Sequence, residues 1–140
     1  MSVGDAALMA EVCRPAEMPP MEAPLASVDN AIENLLLSIG LPPHVQGYAF
    51  VREAVRQVVK DETLAGRITK ELYPSVARRF ATSPSKVERS IRHAIEVAWA
   101  RQGTEAINAM LGRNVFSSWG RPSNGEFIAC VASLVPRNLV

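Results

Sequence analysis

Between residues 85 and 96 lie the side chains best placed to do chemistry together: Ser85, Lys86, Glu88, Arg89, Arg92, His93 and Glu96. On a 3.6-residue helix Val87, Ile91, Ala94, Ile95 and Ala98 fall into one apolar stripe, and the polar set falls on the other side. The chemistry this allows is recognition. Guanidinium forks match the O6 and N7 of guanine, and basic groups around them reach phosphates, so the pattern suits a helix in the major groove of DNA. A solvated amphipathic helix carries the same kinds of residue, and the two readings separate only on what surrounds the stretch.

The individual roles follow from position. Arg89, central on the polar face, is expected to read a base, and Arg92, one turn on, a second guanine or the adjacent phosphate. Glu88 either accepts from a cytosine amino group or holds Arg92 at i+4. Lys86 and Ser85 sit in the first turn, where the positive end of the helix dipole helps phosphate contact; Lys86 is also a candidate base contact. His93 touches the DNA backbone or merely lies beside it. Glu96 is expected to orient neighbouring basic groups, and Trp99 to belong to the core.

The charge distribution supports an anionic partner. The chain has 140 residues, 48% of them hydrophobic and 21% charged, with a net charge of +1. Residues 1–66 hold nine acids and four bases, whereas residues 67–101 hold eight bases against three acids. A basic block confined to one segment is the footprint of a nucleic-acid site even in a nearly neutral protein. The length fits one domain plus a tail. No apolar run long enough to span a membrane is present, and the acidic N-terminus does not resemble a signal peptide, so a cytoplasmic protein without membrane contact is expected. Cys13 and Cys130 match no metal-ligand spacing. No paired carboxylates, activated nucleophile or phosphate-binding glycine loop is visible, so neither an enzyme nor a cofactor is expected.

The elements that must position the polar stretch can be taken in order. Residues 1–28, with prolines at 15, 19, 20 and 24 and no sustained period, read as a disordered tail or linker, with a docking peptide as the alternative. The folded domain, residues 29–140, is expected to open on a helix capped by Asn30 and Glu33, burying Ile32, Leu35, Leu36 and Ile39 and ending at Gly40. A second helix from about His44 to Lys60 buries Tyr48, Val51, Val55 and Val58, with Arg52, Glu53, Arg56 and Gln57 outward and His44 making a local hydrogen bond. Residues 62–81 predict a short helix and then another beginning near Pro74. The long helix, residues 84–101, opens at Pro84, capped by Ser83 or by a Ser85–Glu88 box. After Gly103, Thr104 caps a short helix with Ile107, Met110 and Leu111 inward, stopped by Gly112. An irregular stretch to Arg121 tucks Val115 and Phe116 under the domain. A Ser123–Glu126 box then starts a last helix burying Phe127, Ile128, Val131 and Leu134.

This is an all-α reading of about six helices. A short helix, a tight polar turn and a longer basic helix spell helix-turn-helix. Arg67, Lys70, Arg78 and Arg79 belong to its scaffold side, where they are expected to contact the DNA backbone and set affinity more than sequence preference.

The segments HVQGYAFVREAV (44–55), ITKELYPSVARRF (68–80), KVERSIRHAIEVAW (86–99) and RPSNGEFIACVA (121–132) resemble the C-terminal effector domain of the stage zero sporulation protein A family. The resemblance covers roughly residues 30–135. It implies a six-helix domain that binds double-stranded DNA at a box with the core TGTCGAA and activates or represses sporulation promoters. It also implies dimers on tandem boxes and contact with RNA polymerase or a sigma factor. The family's DNA-contacting positions match Ser85, Lys86, Glu88, Arg89 and Arg92. In the family a phosphoacceptor receiver precedes this domain. Residues 1–28 are too short for one, so control by phosphorylation is not expected to carry over. A free-standing paralogue or a fragment is expected, and an alternative is a protein that pairs with a full-length regulator or occupies its boxes without activating. A transcription assay on a box-containing promoter separates the two. Trp119 and Arg121 stand where lysines are usual, and Gly125 replaces a more helix-friendly residue, which bears on affinity; Arg121 is a further candidate backbone contact.

Overall fold

The computed structural model describes residues 23–117, 120–136 and 138, and the side chains from residue 27 onward. Among them are five α-helices and no strand: α1 (Ala23–Ile39), α2 (Gln46–Lys60), α3 (Tyr73–Arg79), α4 (Pro84–Leu111) and α5 (Asn124–Leu134). A 3₁₀ turn (Glu62–Gly66) and a π-helical turn (Ile68–Leu72) link α2 to α3.

Helix α1 begins six residues before the expected domain start at Asp29, and Val28 is buried in the core. Asn30 and Glu33 therefore lie inside the helix and cap nothing. Asp29 and Glu33 face α2 instead, pairing with Arg56 (3.4 Å) and Arg52 (3.1 Å). Most of the tail expected over residues 1–28 lies outside the described residues. The far end of α1 closes as anticipated. Gly40 sits at φ 90°, its N–H bonds the Leu37 carbonyl at 3.0 Å, and the Leu41 N–H reaches back to Leu36 at 3.0 Å. That is a Schellman motif, with Leu41 buried as its apolar contact.

Helix α2 is central and packs against α1, α4 and α5. Tyr48, Val51, Val55 and Val58 point inward as expected, together with Phe50 and Ala54. His44 lies before the helix, is exposed, and makes no side-chain hydrogen bond among the described residues. Glu53, expected outside, is only 8% exposed. Its carboxylate accepts from Gln57 at 2.9 Å and faces Arg56 (3.9 Å) and Arg79 (3.5 Å). Three cationic or amide neighbours compensate the desolvation that would otherwise keep a glutamate at the surface.

The short helix expected before Pro74 is instead a 3₁₀ turn followed by a π-helical one. Asp61 caps the first, accepting from the Thr63 N–H at 3.1 Å; these Thr63 bonds, from side chain and backbone, hold its carboxyl below the ordinary range. In the second, the Leu72 N–H bonds Arg67, five residues back, at 3.1 Å. This widened turn puts Leu72 and Tyr73 into the core.

Helix α4 is broken at Gly103 (φ 84°, ψ 161°), where the expected helix boundary falls. Thr104 does not cap the second arm. Its hydroxyl accepts from the Trp99 indole N–H at 2.9 Å. Beyond the kink Ile107 is buried, but Met110 is 49% exposed and Leu111 only half-buried, which corrects the expected inward set. The residue that faces in beside Ile107 is Asn108. Its amide donates to the Phe116 carbonyl and accepts from the Val115 and Phe116 N–H groups, each at 3.0 Å, fixing the irregular stretch. Phe116 thereby stacks on Phe127 (5.9 Å), and Trp99 meets both rings edge-on. Helix α5 starts on the anticipated box: Ser123 accepts from the Glu126 N–H, and Glu126 accepts from the Ser123 N–H. Phe127, Ile128 and Val131 are buried, and Leu134 is half-buried beside buried Val135.

Candidate nucleic-acid interface

Short helix α3, a four-residue turn and long helix α4 form the helix-turn-helix. Its turn is a second Schellman-type closure: the Thr82 N–H bonds Ala77 at 2.9 Å and the Ala81 N–H bonds Arg78 at 3.4 Å. The residue that must take the left-handed conformation is Ala81, at φ 54°, the one non-glycine with positive φ among the described residues. An alanine there carries a Cβ strain of about 1 kcal/mol. Phe80 closes the turn against Phe50 of α2, ring to ring at 5.2 Å. Ser83 then caps α4, accepting from the Lys86 N–H at 3.2 Å with Pro84 at the first helical position. Of the two expected caps this is the one formed.

The apolar stripe of α4 is as the spacing predicts: Val87, Ile91, Ala94, Ile95 and Ala98 are all fully buried, and Trp99 joins them. Ala77 on α3 is buried beside them. Where α2 crosses α4, Gly47 leaves no room for a side chain, since a Cβ there would stand 2.1 Å from the Ser90 carbonyl oxygen. This close crossing brings Gln46, Arg89, Ser90 and His93 around one shallow depression.

The polar face of α4 is open. Ser85, Lys86, Arg89, Arg92 and His93 are exposed. Lys86, Arg89 and His93 have no ion pair or side-chain hydrogen bond among the described residues. Arg92 faces Glu88 at 3.6 Å, the i+4 pairing anticipated as the alternative to base contact for Glu88. Both ends of that pair remain well exposed, so it is worth little and is readily exchanged. Glu96 orients a basic group as expected: it holds Arg121 at 2.9 Å.

The scaffold bases divide. Arg67 is engaged by Glu71 (2.8 Å) and Thr63 (2.9 Å), and Arg79 by Glu53 (3.5 Å). Lys70 and Arg78 are exposed without such partners among the described residues, and they line one depression with Gln57 and Pro74.

One contact escaped the reading of the sequence. Asn124, the first residue of α5, donates its side-chain amide to the Tyr73 hydroxyl (3.0 Å) and to the Glu88 carbonyl oxygen (3.1 Å). Nothing in the local pattern marks it, because its partners are 51 and 36 residues away. Burial raises the Tyr73 hydroxyl above its ordinary pKa, so it stays a neutral phenol.

An α-helical domain whose short helix and tight turn present a long helix with an open cationic face is of the helix-turn-helix DNA-binding class. Residues 32–135 match the family model described as sporulation initiation factor Spo0A C terminal. The chain belongs to this family, a helical DNA-binding domain of sporulation transcription regulation. No helix among the described residues is long and apolar enough to cross a membrane.

Proposed function

We propose that the chain is a sequence-specific transcription regulator that reads a TGTCGAA-like box through the exposed face of α4, as two copies on tandem boxes. The observation that carries this reading is the row of exposed cationic and imidazole groups, Lys86, Arg89 and His93, with no partner among the described residues, on a helix arm whose opposite stripe from Val87 to Ala98 is buried. Arg89 reads a guanine edge, and Arg92 takes a second base once Glu88 releases it to accept a hydrogen bond from a cytosine amino group. Lys86 serves a base edge and phosphate. Ser85 and His93 contact phosphates beside them, and Lys70 and Arg78 supply the sequence-independent hold. Arg67, Arg79 and Arg121 reach phosphate only by leaving Glu71, Glu53 and Glu96, so their share is smaller.

The test is a titration of the chain against single and tandem TGTCGAA duplexes and a scrambled duplex at two salt concentrations. The reading expects preference for the box at both salts and a higher-order complex on the tandem duplex alone. Equal affinity for box and scrambled duplex at both salts would overturn it.

A further inference from the structure

Helix α4 is gripped from the side by the segment that leads into α5. Asn124 bonds the Glu88 carbonyl at 3.1 Å, and Arg121 pairs with Glu96 at 2.9 Å. These two contacts lie about two turns apart on α4. The two contacts are unlike in strength. The Arg121–Glu96 pair is about half exposed at each end, and such pairs contribute little. Asn124 is partly buried, and its one amide group ties α5 at once to the Tyr73 hydroxyl of α3 and to the backbone of α4. The carbonyl it holds belongs to the turn between Lys86 and Arg89, on the stretch whose side chains reach for bases.

We propose that Asn124 is a positioning residue for base reading: through its bond to the Glu88 carbonyl it fixes the first turns of α4 against the start of α5 while touching no DNA itself. This rests on the proposed role of α4. Base recognition needs bidentate geometry and fails with small rotations, whereas contact between a flexible lysine or arginine and a phosphate tolerates them. Loss of the Asn124 bond therefore costs discrimination and leaves nonspecific binding in place. The chemistry of the site allows its two bonds to be separated. An aspartate at 124 can still accept from the Tyr73 hydroxyl, but it has nothing to donate to the Glu88 carbonyl. Phenylalanine at 73 does the reverse, removing the phenol and leaving the α4 bond.

The experiment compares wild type, Asn124→Asp, Asn124→Ala and Tyr73→Phe by anisotropy titration on box and scrambled duplexes, with a thermal melt of each. The ratio of the two affinities is the readout, because a change of net charge shifts both affinities together. Both Asn124 variants are expected to lower the ratio about tenfold, at the upper end of what one hydrogen bond commands. Tyr73→Phe is expected to keep the ratio within about twofold, because the bond to α4 remains. Asn124 variants that retain the wild-type ratio overturn the inference. Loss of a cooperative melt in both of them does so too, since it makes Asn124 a folding residue. A wild-type ratio near one would instead strike the proposed function, before any variant is considered.

Discussion

The two cationic stretches of the helix-turn-helix are similar in composition and differ in how many of their charges are answered. On the approach through the turns and α3, Arg67 and Arg79 are met by Glu71 and Glu53. On the first turns of α4, Lys86, Arg89 and His93 are exposed and meet no carboxylate among the described residues. Of the eight bases in residues 67–101, Arg67, Arg79 and Arg92 carry an acidic partner. A charge count treats all eight alike, but a guanidinium already held must leave its carboxylate before it reaches a phosphate. What marks the proposed interface is cationic charge left unanswered among the described residues, and that is a property of the fold.

The comparison breaks most completely if the two stretches lose their common frame. Gly47→Ala places a Cβ against the Ser90 backbone and should cost about 2–3 kcal/mol, at the upper end for overpacking, seen as a lower Tm with weaker binding to every duplex. A smaller effect sharpens it. Arg78→Ala should weaken cognate and scrambled duplexes alike and reduce the salt slope by about 1. Arg79→Ala should change that slope less, because its guanidinium already serves Glu53. Ala81→Gly should then raise stability by about 0.5–1 kcal/mol in denaturant titration without altering selectivity, because it relieves the positive φ at the turn joining the two stretches. The smallest effect lies at the scaffold's outer edge. The Asp61 carboxyl is depressed by its bonds from Thr63, so its contribution is present above the ordinary carboxylate range and lost as pH falls through the lower folded value. Asp61→Asn should remove that part of the acid dependence of the melt.

Much of this organisation is legible locally. The Ser123–Glu126 box, the Gly40 and Gly112 closures and the buried stripe of α4 depend on neighbours within a few residues, and the residue types announce them, whereas Ser83 and the Ser85–Glu88 box read as equal caps for α4. The resemblance carried by residues 44–132 named the family that the match over 32–135 shows. What local pattern could not convey is what depends on distant partners. Glu53 reads as a surface residue by helical period, yet Arg79 and Arg56 make its burial tolerable. Met110 fits an apolar stripe with Ile107, but Asn108, bonded to Val115 and Phe116, takes the inward place beside Ile107 and leaves Met110 exposed. Gly47 and Asn124 look unremarkable until α4 lies against them. The widened turn at Ile68–Leu72 has no residue signature, and its register is set by where Leu72 must be buried.

Sequence recognition is proposed to rest on the groups of α4 that have no partner among the described residues, rather than on the basic block as a whole. This is tested most directly by the selectivity of Arg89→Ala, measured as the ratio of affinities for a TGTCGAA duplex and its scrambled counterpart. The account predicts a loss of about 1–3 kcal/mol on the box, confined to one base pair, with scrambled binding nearly unchanged. An equal loss on both duplexes would contradict it and reduce Arg89 to one more phosphate contact.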